Sequence, residues 1–198
     1  MNVIQQATQS EDLVVNKSKF VGYALSAQSR REFLAHIHKI HNANPGCNHI
    51  AFAYQIKTKS GVDSYFNDAG EPSGTAGKPL LNILEMKHFA NSGLAVVRFY
   101  GGINLGTGGL ARAYSKAGMM ALAKAKVTPF IDLYYYNLLI KYNMLDKITN
   151  VILKNNGTIL DKNFGENIAL RIKLTKEGVN EIMMHYPSIS MEPIDQPS

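Results

Sequence analysis

Nine of the sixteen glycines in this 198-residue chain fall between Gly70 and Gly109. Most of them belong to two segments, Asp68-Ala-Gly-Glu-Pro-Ser-Gly-Thr-Ala-Gly-Lys-Pro79 and Arg98-Phe-Tyr-Gly-Gly-Ile-Asn-Leu-Gly-Thr-Gly-Gly-Leu-Ala-Arg-Ala-Tyr114. Glycine loses more chain entropy on folding than any other residue, so this density requires backbone that turns left-handed or presses against another surface. The second segment follows the apolar run Leu94-Ala-Val-Val97 and leads into a helix-like stretch. Strand, glycine loop and helix together aim backbone N–H groups outward, where the helix dipole favours a negative ligand.

Around these segments the pattern reads as α+β in two domains, residues 1–130 and 131–198, with the joint at Thr128-Pro-Phe130. In the first domain strands are expected at Lys19–Leu25, His49–Lys57 and Leu94–Phe99. A helix from about Ser29 to Asn42 carries Phe33, Ile37 and Ile40 at helical spacing and stops at Asn44-Pro-Gly46. Pro79 suits the first turn of a helix running towards Asn91, with Leu80, Leu81, Leu84 and Phe89 buried. Thr107 is the expected cap of another helix, reaching about Lys126. In the second domain a strand (Asp132–Lys141), a helix (Met144–Asn155), a strand pair around Gly165 and a helix (Lys176–His185) give β-α-β-β-α order. That order implies a small ferredoxin-like domain, followed by a loose tail from Pro193 to Ser198.

The chain carries a formal net charge of +6. Residues 1–130 hold 14 Lys/Arg and 7 Asp/Glu, whereas residues 131–198 hold 7 and 8. From Met86 to Ile131 there are Lys87, Arg98, Arg112, Lys116, Lys124 and Lys126 and no carboxylate, which points to an anionic partner. The single Cys47 excludes an intramolecular disulfide framework and fits a reducing compartment. With a polar start and no run long enough for a membrane span, the expected location is the cytoplasm.

The motifs narrow the chemistry. Gly106-Thr-Gly-Gly-Leu-Ala111 satisfies the dinucleotide fingerprint, but it lies late in the chain, and the strand that should follow contains Pro129. Gly74-Thr-Ala-Gly-Lys78 resembles a phosphate loop, yet Pro72 and Pro79 occupy positions needing glycine and a hydroxyl. No nucleotide cofactor is therefore expected. His36, His38 and His41 share one helix and His49 follows it, without a Cys or carboxylate spaced to complete a metal set, so no metal is expected either. Asp68 and Glu71 are the candidate acid–base pair, with pairing to Lys78 or Arg98, or helix capping, as the alternatives. The candidate anion or nucleic-acid surface comprises Lys78, Arg98, Gly101, Gly102, Gly106, Thr107, Gly108, Gly109, Arg112 and Lys116. A purely structural role for the glycines is the competing reading. Tyr134-Tyr-Tyr136 reads as strand packing ahead of base stacking.

The two glycine segments, with Lys17-Ser-Lys-Phe20 and His49-Ile-Ala-Phe-Ala-Tyr54, resemble the signature of the IMPACT/YigZ family. The resemblance spans nearly the whole chain. It implies an N-terminal α/β sandwich resembling a translation-factor domain, since bacterial members resemble domains of elongation factor G, and a role in translational control like that of the eukaryotic members. Those eukaryotic proteins carry an additional N-terminal protein-binding domain. The motif begins here at Lys17, so neither that domain nor its partner is expected. Relatives often place a Cys two residues after the motif histidine; Ala51 stands there, so a thiol at that position is not required chemistry here. Binding is thus favoured over catalysis, with RNA or the ribosome as expected partner. The alternatives are a hydrolase or transferase acting on a phosphorylated substrate, and a protein-binding regulatory module.

Overall fold

The computed structural model describes residues 1–58 and 60–195, which divide into a unit Met1–Phe130 and a unit Ile131–Ser198. The first unit runs β1 (Asn2–Ile4), β2 (Thr8–Gln9), β3 (Leu13–Val15), β4 (Ser18–Ser26), α1 (Arg30–Ala43), β5 (His49–Thr58), β6 (Gly61–Asn67), α2 (Gly77–Met86), β7 (Ser92–Phe99), α3 (Gly106–Lys124) and β8 (Val127–Pro129). Its main sheet has the order β2-β4-β7-β5-β6, with β3 also pairing β4. Strands β4 and β5 flank β7, antiparallel on both sides.

Side chains of successive strand residues point to opposite faces. Phe20, Ala24, Ala51, Ala53, Leu94 and Val96 therefore pack on one face beneath α2 and α3. Val21, Leu25, Phe52, Tyr54, Ala95 and Val97 pack on the other with Phe33 and Ile40 of α1. Both faces of β7 are covered, which is why its sequence is almost uninterruptedly apolar. Helix α1 starts where Ser29 accepts from the Glu32 N–H, while the Glu32 carboxylate accepts from the Gln28 N–H.

Three expectations need correction in this unit. Helix α2 ends at Met86 instead of continuing towards Asn91, because His88 and Asn91 adopt left-handed backbone. Phe89 is nonetheless buried with Leu80, Leu81 and Leu84. Strand β6, absent from the strands expected above, pairs with β5 and forms the edge of the sheet. Thr107 is not a cap: α3 begins one residue earlier, after Leu105, and no side chain caps it.

The second unit runs β9 (Leu133–Ile140), a 3-10 turn at Tyr142–Met144, α4 (Leu145–Lys154), β10 (Thr158–Phe164), β11 (Ile168–Thr175), α5 (Lys176–His185) and β12 (Ser190–Ile194). The antiparallel sheet order β10-β11-β9-β12 makes it ferredoxin-like. Leu138, Ile140, Ile168, Leu170, Ile172 and Leu174 form its core with Ile148 and Ile152 of α4 and Ile182 of α5. Tyr136 packs against the same core. The expected loose tail is corrected in part: Pro193 and Ile194 belong to β12, an edge strand, where proline is tolerated. Residues 196–198 of that tail lie outside the described residues.

Candidate functional site

The two glycine segments meet at a buried ion pair. Strand β7 places Arg98 on the same face as Leu94 and Val96, the face covered by α3. The side chain is 5% exposed there, against 4% for Glu71. Arg98 Nη1 donates to Glu71 Oε1 at 2.7 Å and to Oε2 at 3.0 Å. The Tyr114 hydroxyl of α3 donates to Oε1 at 2.7 Å. Burial, then the hydrogen bond to Glu71 and its charge, push the Tyr114 phenol above the usual tyrosine range. Arg98 Nη2 donates to Ser18 Oγ, which also accepts from the Gly101 N–H at 3.1 Å. The Arg98 guanidinium lies over the Phe20 ring and over the Tyr100 ring, 5.4 and 5.1 Å from their centroids. Arg98 is thus removed from the expected anion surface: its charge is neutralised inside the protein.

Of the readings open for the two loop carboxylates, Glu71 takes the Arg98 pairing and Asp68 takes the cap. Asp68 Oδ1 accepts from the Ala76 and Gly77 N–H groups and Oδ2 from Gly74, so the carboxylate closes its own loop onto the start of α2. Burial alone raises the Asp68 carboxyl, but the backbone N–H groups of Gly74, Ala76, Gly77 and Lys78 together outweigh it and hold it below the usual carboxylate value. Lys78 lies near Glu85 at 3.9 Å and over the Phe66 ring. Both carboxylates are thus held by protein partners.

The second glycine segment presents a different surface. A Cβ on Gly101 would lie 2.1 Å from the carbonyl carbon of Lys17, so the loop rests directly on the β3–β4 turn. Gly106 begins α3 with φ +68°, where a Cβ would be strained. Gly102, Thr107 and Gly108 are exposed and Gly109 is half-buried. The first turn of α3 has no acidic residue and no side-chain cap. Arg112, whose Nη1 reaches back towards Gly108, and Lys116 are exposed and make no ion pair among the described residues. Lys17, also exposed, has its backbone against Gly101 of the same segment. Sequence periodicity could not place it there, because only folding brings the β3–β4 turn to the loop. Lys124, by contrast, pairs with Glu11.

His49 Nδ1 donates to the Ala69 carbonyl at 2.8 Å, and its Nε2 lies 3.9 Å from Glu71 Oε1. With His38, His41, Cys47 and Asn48 it lines a cavity of about 300 Å³. No set of three or more His, Cys, Asp or Glu among the described residues is arranged to hold a metal ion. No helix among them is long and apolar enough to cross a membrane.

Comparison with known proteins bears on both units. Residues 16–122 match the Impact N-terminal domain, and residues 138–183 match a domain of unknown function, DUF1949. An IMPACT family member from Haemophilus influenzae is 31% identical over 83% of this chain and 81% of its own length. The IMPACT family member YigZ from Escherichia coli is 30% identical over 84% and 82%. A solved crystal structure, described as that of a hypothetical protein, shares 26% identity, covers 99% of this chain and 98% of its own, and superposes with a TM-score of 0.70.

Proposed function

This chain belongs to the IMPACT family, and from that premise we propose that it is an RNA- or ribosome-associated binding protein acting in translation or its regulation. The observation that carries the reading is the glycine segment at the start of α3. There an uncapped helix N-terminus, exposed Arg112 and Lys116, and Lys17 beside Gly101 offer positive charge with no acid to balance it. Unpaired helix N–H groups donate to phosphate oxygens, and the side chains supply longer-range attraction. The acid–base alternative is disfavoured, because Glu71 is held by Arg98 and Tyr114, and Asp68 by backbone N–H groups.

The test is a salt titration with structured and single-stranded RNA. Neutralising about three phosphates gives a slope of log affinity against log salt of roughly −2.7 for a duplex and about −2 for a single strand. Arg112→Glu weakens binding across sequences and flattens the slope while the fold is kept, because the side chain is exposed. Equal binding by wild type and Arg112→Glu, or no binding by either at low salt, overturns the reading. A salt-insensitive protein complex would then favour the protein-binding module.

A further inference from the structure

We infer that Tyr100 is a stacking platform for an unpaired base, which makes the ligand of the glycine segment single-stranded RNA. This rests on the RNA reading above and goes beyond it. Tyr100 leads out of β7 into the glycine segment and keeps 44% of its surface exposed. An exposed aromatic is ordinary, but this one is anchored at its backbone and held at its ring by two further contacts. Its backbone N–H donates to Asn48 Oδ1 at 2.7 Å, its hydroxyl donates to Asn104 Oδ1 at 3.2 Å, and the buried Arg98 guanidinium lies 5.1 Å from its centroid. Arg98 is itself locked by Glu71. The ring is therefore pre-organised, and little rotamer freedom remains to be lost on stacking.

The surroundings fit a base whose phosphates lie on the adjoining loop. The next residue, Gly101, rests on Lys17, and Arg112 and Lys116 follow on α3. Asn48 has Oδ1 committed to Tyr100, which leaves the two Nδ2 donors without a partner among the described residues. Asn48 also lines the cavity of about 300 Å³ with His38, His41, Cys47 and His49. An aromatic platform beside a positive track binds single strands with little sequence preference, whereas bases inside a duplex cannot reach it.

The experiment compares a fluorescein-labelled oligouridine with an RNA duplex of equal length, using the full chain at low salt. Tyr100→Ala is expected to raise the Kd for the single strand by roughly 5- to 150-fold, the range for losing one base stack. Duplex binding stays unchanged. Tyr100→Phe keeps near wild-type affinity, because the ring face remains. Tyr100→Leu, which retains apolar cover over Arg98, loses as much as alanine does; circular dichroism confirms that each variant is folded. Equal losses on single strand and duplex, full affinity in Tyr100→Ala, or full affinity in Tyr100→Leu overturns the inference. If Arg112→Glu weakens binding while Tyr100→Ala does not, the RNA reading survives and only the platform falls. If the wild type binds neither probe, both fall.

Discussion

Arg98 Nη1 lies 2.7 Å from Oε1 and 3.0 Å from Oε2 of Glu71, so one buried ion pair fastens the first glycine segment to the strand that opens the second. Removing one partner of such a pair leaves an uncompensated charge out of water. Glu71→Ala is expected to destabilise the protein by about 3–5 kcal/mol, and Glu71→Ala with Arg98→Met by clearly less than the sum of the single changes. Urea denaturation of the four proteins of this cycle measures both quantities.

Tyr114 gives the protein an alkaline limit. Its folded-state pKa is raised, mainly by burial and then by Glu71, so the native state holds the phenolic proton more tightly than the unfolded chain does. The stabilisation is full below the unfolded value of about 10 and is lost as pH rises beyond it. Denaturation midpoints should therefore fall above pH 10, and Tyr114→Phe should fall less steeply there. At neutral pH the same variant loses a hydrogen bond to a charged group, about 1.5–3 kcal/mol.

Asp68 behaves in the opposite sense. Its carboxyl is lowered despite the opposing effect of burial, so its contribution is present above the unfolded value of 3.8 and lost as pH falls through the folded value below that. Asp68→Ala should cost about 0.5–2 kcal/mol at pH 7, as loss of a helix cap does. It should also be less sensitive than wild type to acidification from pH 5 to pH 2. Thermal unfolding across that range would expose an equal acid response, which would contradict the capping role.

The glycines of the second segment are not equivalent. Gly101→Ala would drive a Cβ into the Lys17 backbone and should lower stability markedly, together with RNA binding. Gly108 is helical, lacks a positive φ, and its nearest neighbour is the flexible end of Arg112 at 3.4 Å. Gly108→Ala should therefore be neutral or stabilising, by up to about 1 kcal/mol. Denaturant midpoints of the two variants decide it.

Local pattern made much of the fold legible. Ser29 and the Phe33 and Ile40 spacing located α1, the apolar run at Leu94–Val97 located β7, and Lys176–His185 coincides with α5. Each of these signals is written in residues a few positions apart, in the periods of helix and strand. Strand alternation alone puts Arg98 on the face opposite Val97. It could not say that α3 covers that side too, nor that Glu71, 27 residues away, would meet the guanidinium. Lys17 and Ser18 were likewise hidden as neighbours of the glycine loop, since Ser18 is 83 residues from Gly101 in sequence. Periodicity states which face a side chain takes, whereas what stands opposite is decided by long-range closure of the chain. For that reason α1, β7 and α5 followed from sequence alone, while edge strands such as β6, the choice among the partners open to Glu71 and Asp68, and the holding of Tyr100 came only with tertiary structure.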